Sequence, residues 1–151
     1  MYGCLDLRRT SLLQFPDNLK LLVKLEELRI ENPKLTELPD SVGDLIGLKE
    51  LILWDCPCLH ISTSLKRLTS LERLFMYNWG VSSSLMQVEG LPSSLVKLML
   101  MNCSKLKALT NLSNLVNLKL VNIVSCEELE TVNVEGLIQL EEIQVYECSK
   151  L

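Results

Sequence analysis

Cysteine and histidine are the side chains of this 151-residue chain that could hold a metal or act as a nucleophile. Zinc favours thiolate and imidazole ligands, and a Cys–His pair can perform nucleophilic catalysis. His60 is the single histidine and has no nucleophile motif around it, and Cys56-Pro57-Cys58 is a C-x-C pattern that alone is a weak metal signal. The sequence contains no glycine-rich phosphate loop and no acidic cluster with metal spacing. We therefore expect no catalytic residue, no cofactor and no metal, and a chain that is not an enzyme.

The spacing of four cysteines points instead to a repeat. Each ends the pattern L-x-x-L-x-L-x-x-C, in which another apolar residue can replace a Leu; the four cysteines are Cys56, Cys103, Cys126 and Cys148. Three looser copies end in Thr10, Pro33 and Trp79. The first positions of the seven copies are 2, 25, 48, 71, 95, 118 and 140, so the steps are 23, 23, 23, 24, 23 and 22 residues. This is the period of leucine-rich repeats. The pattern predicts an α/β leucine-rich-repeat solenoid of about seven repeats that occupies residues 1–151 as one domain.

Apolar residues alternate with outward residues in the centre of each repeat, which predicts a short strand. The strands must lie parallel because every return runs back over the opposite side of the solenoid. The predicted strands are residues 4–8, 27–31, 50–54, 73–77, 97–101, 120–124 and 142–146. The first inward position should form a buried ladder of Leu5, Leu28, Leu51, Leu74, Leu98, Val121 and Ile143. For the copy that begins at Leu118, a repeat frame shifted by three residues, starting at Leu115, is an alternative. The returns at 38–45 and 62–68 favour short helical or 3₁₀ pieces, whereas 91–94 and 132–136 favour turns or extended chain.

The last position of the pattern, the cysteine position, predicts a turn in which the thiol packs as a small apolar group and forms a hydrogen bond with the backbone. The last three cysteines fall in consecutive repeats and should stack about 5 Å apart, the strand spacing. Trp79 is too large for a close-packed turn of this kind. We therefore expect Trp79 to be partly exposed, with the extra residue of the 24-residue step bulging nearby.

The outward positions of the strands form a concave face whose middle is apolar and aromatic. Six such residues lie side by side and are flanked by charges, and together they are the candidate protein-binding residues: Glu50, Ile52, Trp54, Arg73, Phe75, Tyr77, Lys97, Met99 and Met101. Contiguous exposed apolar surface of this composition is typical of interfaces. The sequence leaves open whether a separate protein or another domain of the same protein covers it.

Composition and charge exclude several classes of partner. The formal net charge is −4, with acidic and basic residues interspersed, which is unlike the basic surface of a nucleic-acid binder. No run of about 18 apolar residues could span a membrane, and the start carries no secretory signal. We expect a cytoplasmic, or alternatively nuclear, location with reduced cysteines, so that the sequons at Asn102 and Asn111 are chance.

Both ends of the chain lie inside the repeat motif. Tyr2 already occupies a first position and Leu151 is the apolar residue after the last cysteine. Solenoids need polar capping units, because bare ends expose apolar side chains and strand edges. We expect an uncapped fragment of a longer protein, or a truncated gene product, that self-associates or expresses poorly when isolated.

One stretch also resembles a known family. Residues 35–59 (LTELPDSVGDLIGLKELILWDCPCL), and the turns 102–106 (NCSKL) and 147–151 (ECSKL), resemble the repeats of plant intracellular nucleotide-binding leucine-rich-repeat disease-resistance proteins. The resemblance implies a sensor region that recognises a pathogen effector or a host protein and restrains the receptor when idle. Trp79 and Pro33 depart from the family pattern, and no nucleotide-binding module is present in these 151 residues.

The function that follows is protein binding without catalysis. The ligand would be an effector, a host protein or another domain of the receptor. Two alternatives remain open: a scaffold of the small-GTPase-associated leucine-rich-repeat type, which also has L-P-x-x-[IV]-G returns, and a substrate-receptor subunit of a ubiquitin ligase.

Overall fold

A parallel sheet of seven strands runs through the whole molecule. The computed structural model describes residues 3–10, 15, 17–61, 63–80 and 90–151. The strand order is β1-β2-β3-β4-β5-β7-β9, and these strands are β1 Gly3–Leu7, β2 Leu25–Glu31, β3 Glu50–Trp54, β4 Arg73–Tyr77, β5 Lys97–Met101, β7 Leu120–Val124 and β9 Glu142–Tyr146. Five have the predicted bounds; β1 begins and ends one residue earlier, and β2 begins two residues earlier.

The register between neighbouring strands follows the repeat spacing. Leu51 lies opposite Leu74, and Leu74 lies opposite Leu98. The pairing continues from Leu98 to Val121, so the frame that begins at Leu118 is correct and the alternative frame shifted by three residues is wrong. Equal registers place equivalent repeat positions in rows across the sheet.

The core lies between the sheet and the returns. Five members of the predicted ladder are buried, from Leu28 to Val121, and Leu5 is half-buried. Ile143 is 43 % exposed, so the prediction that it is buried is wrong. The reason is that, among the described residues, β9 pairs with β7 alone and has no neighbour on its other side.

The convex returns contain short 3₁₀ helices, as expected for 38–45 and 62–68. In the part of the chain that the structure describes, they span Asp17–Leu21, Asp40–Asp44, Thr63–Arg67 and Leu112–Asn114. Pro39 is the N-cap residue of the second helix, and no side chain forms a cap hydrogen bond there. The fixed φ of proline prepares the helix start in place of a side-chain bond.

A second, two-stranded parallel sheet lies among the returns and was not predicted. β6 (Ala108–Leu109) pairs with β8 (Thr131–Val132). An isolated parallel bridge joins Glu37 to His60 in earlier repeats. The returns are thus tied to one another by backbone hydrogen bonds as well as by apolar packing.

The residue after a sheet strand adopts a left-handed backbone in five repeats. These residues are Asp55, Asn78, Asn102, Ser125 and Glu147, with φ between 50° and 54°. Each of the first four donates its backbone N–H to the last residue of the next strand, for example Asp55 to the Tyr77 carbonyl at 2.9 Å. Asn32 lacks this conformation, which fits its place before Pro33, because a following proline disfavours helical backbone.

The cysteine position is a buried turn position, as predicted. Cys56, Cys103 and Cys126 are buried, and Cys148 of the last repeat is half-buried. The thiols donate to backbone carbonyls, for example Cys56 Sγ to Trp54 O at 3.3 Å. They therefore act as small core residues with a weak donor.

The prediction for Trp79 is wrong. The side chain is 3 % exposed, and its indole Nε1 donates to the Leu59 carbonyl at 2.6 Å. The neighbouring repeats carry the small Cys56 and Cys103 at the same position, so the ring can extend toward the preceding turn. The predicted bulge after Trp79 falls on residues 81–89, outside the described residues.

Candidate protein-binding surface

Three central strands bring the predicted binding residues together. In register, Ile52 lies opposite Phe75 and Phe75 opposite Met99. The next outward row is Trp54, Tyr77 and Met101. We call these six side chains the concave patch: Ile52, Trp54, Phe75, Tyr77, Met99 and Met101. Strands stand about 4.8 Å apart, so residues of one row are direct side-chain neighbours.

The concave patch encloses an apolar cavity of about 180 Å³. All six residues line it, together with Met76, whose side chain otherwise belongs to the core. Trp54 and Tyr77 form one wall as a stacked pair, with ring centroids 4.1 Å apart and an interplanar angle of 18°. Two methionines form the other side, and their unbranched side chains can adapt to different shapes.

Hydrogen bonds fix the aromatic wall. Asn102 Nδ2 donates to the Tyr77 hydroxyl at 3.0 Å, and Asn78 Nδ2 donates to Asp55 Oδ1 at 2.5 Å in the adjacent turn. The Tyr77 ring is thus held from Asn102 on one side and by Trp54 on the other. A ligand would meet a largely preorganised surface, which lowers the entropy cost of binding.

The charged residues predicted beside the patch form the row below it. Glu50, Arg73 and Lys97 are opposite one another in register. Arg73 Nε donates to Glu50 Oε2 at 2.5 Å, and this bond raises the pKa of the Arg73 guanidinium. The Lys97 ammonium lies over the Phe75 ring, 5.7 Å from its centroid, which is within cation–π range.

A polar cavity of about 430 Å³ lies beside the patch and was missed by the sequence reasoning. It is lined by Asp6, Arg8, Arg9, Glu31 and Trp54, so Trp54 is shared with the apolar cavity. Arg8 donates hydrogen bonds to both oxygens of Asp6, with Nη2 at 2.7 Å from Oδ2, and lowers the pKa of that carboxyl to about 2. The mixed charges of β1 and β2 were visible in the sequence, but which of them pair with one another was not.

A polar relay borders the patch on the opposite side. Asn122 follows Met99 in its row, and its Nδ2 donates to Gln144 Oε1 at 2.7 Å. Gln144 Nε2 in turn donates to Glu142 Oε1 at 2.5 Å. Because the Glu142 carboxylate can only accept, Gln144 turns its Nε2 toward Glu142 and its Oε1 toward Asn122. Asn122 Oδ1 is buried and has no hydrogen-bond partner.

The residues considered for metal or nucleophilic chemistry lie apart from this surface. His60 is exposed, on the side of the returns, where its backbone N–H donates to the Thr36 carbonyl at 2.8 Å. Burial raises the pKa of the Cys56 thiol to about 11, and the hydrogen bond that Cys103 donates to Cys126, together with burial, raises the pKa of the Cys103 thiol. Within the described residues no three His, Cys, Asp or Glu side chains are grouped to hold a metal ion.

Two comparisons with known proteins returned nothing. No family model matches the sequence, and no curated protein matches it. No helix within the described part of the chain is long and apolar enough to cross a membrane.

Solved structures do resemble this chain. The leucine-rich-repeat domain of the type III effector XopL is 25 % identical, with a TM-score of 0.64, and the match covers 91 % of this chain. Two internalins of Listeria monocytogenes are more distant: inlC2 is 20 % identical over 84 % of this chain with a TM-score of 0.43, and inlF 13 % identical over 95 % with a TM-score of 0.48. This chain spans 53 % of the XopL chain, 64 % of the inlC2 chain and 60 % of the inlF chain.

The parallel seven-stranded sheet, its repeat-by-repeat register and the XopL similarity agree on the architecture. The chain folds as a leucine-rich-repeat solenoid, an architecture that serves protein binding.

Proposed function

We propose that the chain is a non-catalytic protein-binding module whose ligand lies on the concave patch. The observation that carries the proposal is the apolar cavity of about 180 Å³ on the outward face of β3, β4 and β5. Outward residues of a sheet need not be apolar for the fold, yet six adjacent ones are. Trp54 remains 40 % exposed, which leaves aromatic surface in water until a ligand covers it.

The finer proposal is that the module is the sensor region of a plant intracellular immune receptor. It rests on the motifs of the third repeat, whose L-P-D-S-V-G return forms the 3₁₀ helix Asp40–Asp44 and whose turn ends in Cys56 and Leu59. The XopL similarity supports the leucine-rich-repeat domain and not this assignment. The module would act in the cytoplasm or nucleus, bind a pathogen effector or host protein, and contribute to autoinhibition through other receptor domains.

The patch is tested by truncating its aromatic wall. Trp54→Ala or Tyr77→Ala should weaken partner binding by at least about 2 kcal/mol, as interface aromatics do, with little loss of fold stability. Calorimetric titration with the partner and a thermal melt of each variant provide the two readouts. Tyr146→Ala is the matched control, because Tyr146 is an exposed aromatic on β9, outside the patch. Unchanged affinity with a collapsed melt would show that Trp54 and Tyr77 are structural.

The receptor assignment is tested by reading the transcript that encodes this chain. An in-frame phosphate-binding loop, G-x-x-x-x-G-K-[ST], upstream of residue 1 is expected for the receptor. A complete transcript without it would overturn the receptor assignment and leave the binding module in place.

A further inference from the structure

Among the charged outward residues of β2, β3, β4 and β5, all but two form a salt bridge within the described part of the chain, and the two exceptions lie at opposite corners of the concave patch. Arg73 is bound to Glu50, and Arg29 is bound to Glu27. Glu31 and Lys97, by contrast, form no salt bridge with any residue that the structure describes. An unpaired charge at the rim of an apolar surface favours a ligand of opposite charge at that place.

Glu31 defines one corner. It is the last residue of β2 and lies opposite Trp54 in register. It also lines the polar cavity that Trp54 separates from the apolar one. A partner ammonium or guanidinium placed there would meet a carboxylate and the indole of Trp54, and cations are attracted to both. Arg8 is attracted to Glu31 as well, but its side-chain hydrogen bonds go to Asp6. Arg9 lines the cavity from beyond β1, two strands from Trp54.

Lys97 defines the opposite corner. It is the first residue of β5 and lies in the row of Glu50 and Arg73, whereas Glu31 lies in the row of Trp54 and Tyr77. Its ammonium rests over Phe75, which leaves it available to an incoming carboxylate at the edge of the patch.

The two corners are separated by three strand spacings and by four residues along a strand. With about 4.8 Å per strand and about 3.3 Å per residue, the diagonal is about 20 Å, or about six extended residues. The apolar cavity lies between the corners. The surface is therefore dipolar, with negative charge at one end, positive charge at the other and an apolar centre.

We infer that the concave patch binds a linear segment of a partner protein that carries a basic side chain, bulky apolar side chains, and an acidic side chain about six residues from the basic one. This inference rests on the proposed function and adds the chemistry of the ligand to it. The basic side chain lies against Glu31 and Trp54, the apolar ones fill the cavity, and the acidic one meets Lys97.

The experiment selects random 12-residue peptides displayed on phage against the folded protein. The selected sequences should share basic, apolar and acidic positions in that spacing. One consensus peptide and its charge-swapped version, with the basic and acidic residues exchanged, are then titrated while the tryptophan fluorescence is followed. Trp79 is buried, so a change on binding reports the exposed Trp54. The swapped peptide should bind the natural protein about fivefold more weakly or worse, a difference that shrinks as salt is added.

Charge reversal in the protein makes the test specific. The double variant Glu31→Lys, Lys97→Glu should prefer the swapped peptide over the consensus peptide. Glu130→Lys, Lys105→Glu is the matched control, because both side chains are exposed and lie outside the concave face; it should keep the natural preference. Thermal melts establish that each variant is folded.

The contrary outcomes separate the two proposals. Peptides that need Trp54 and Tyr77 but show no charge preference would overturn the dipolar ligand and leave the proposed function standing. A preference for acidic residues beside Trp54 would show that Arg9 rather than Glu31 sets the charge, and would also overturn the inference. A folded protein that selects no peptide above the bare support would overturn both proposals.

Discussion

The middle repeats and the last repeat carry the same motif but bury it to different degrees. Leu51, Leu74 and Leu98 are 0 % exposed, whereas Ile143, at the same repeat position, is 43 % exposed. The difference does not come from the residue type, since both are large aliphatic side chains. It comes from neighbours, because β4 lies between two strands and β9 is paired on one side among the described residues. In a solenoid, burial is a property of adjacent repeats and not of one repeat.

The largest expected effect is a loss of stability caused by a substitution in a middle repeat. Leu74→Ala should lower the free energy of unfolding by about 2.7–5 kcal/mol, because it removes buried methyl groups and leaves a cavity between two neighbouring repeats. Ile143→Ala should cost clearly less, since that side chain already contacts water. Urea unfolding of both variants measures the difference. Equal losses would mean that burial in the structure does not report the energetics of the two repeats.

The second prediction compares the two tryptophans of the middle repeats. Trp79→Phe keeps an aromatic ring but removes the donor to the Leu59 carbonyl, which leaves that buried oxygen without its partner. The expected loss of stability is about 1–3 kcal/mol. Trp54→Phe is the control: it should change the melt little, because Trp54 lies on the solvent side. A Trp79→Phe variant as stable as the natural protein would refute the importance of this hydrogen bond.

The third prediction extends the comparison to thiols. Cys56 of a middle repeat is buried and its pKa is raised to about 11 by burial, so it should react with iodoacetamide at pH 8 far more slowly than the exposed Cys58. Cys148 of the last repeat, which is half-buried, should react at an intermediate rate. Mass-spectrometric peptide mapping at several times gives the order. Labelling in urea should abolish the order; if it persists, folding is not its cause.

The smallest effect concerns the other end of the sheet. Arg8 lowers the pKa of Asp6 to about 2 from an ordinary 3.8, so this carboxylate stabilises the fold above about pH 3.8 and ceases to do so as the pH falls through 2. Asp6→Asn should therefore lower the melting temperature slightly at pH 7 and not at all below about pH 2. A constant difference at every pH would exclude the ion pair as its cause.

Much of the fold could be predicted because the apolar spacing and the strand period are both local. The leucines at 48, 71 and 95 fix three strands, and alternation then fixes which side chains face outward. The grouping of Trp54, Tyr77 and Met101 followed from this register alone. The role of that group in binding stays a prediction.

What could not be predicted depends on contacts between repeats. The volume available to Trp79 depends on the small cysteines at the equivalent position of the preceding and the following repeat. The prediction that Trp79 is too large for its turn considered one repeat alone. β6 and β8 have two residues each, too few for any period to be visible. The polar cavity beside Trp54 required knowing that Arg8 binds Asp6 while Glu31 forms no salt bridge with a described residue.

The 24-residue step between the fourth and fifth repeats has a consequence for how such a protein can change over time. Despite the additional residue, Tyr77 still faces Met101 and Arg73 still faces Lys97. Since the sheet register is unchanged, the extra length is accommodated in the return. A one-residue insertion within a strand would instead exchange its inner and outer faces. Length variation among descendants should therefore accumulate on the convex side, while the concave face diversifies by substitution alone, as a fixed grid on which new ligand specificities can evolve.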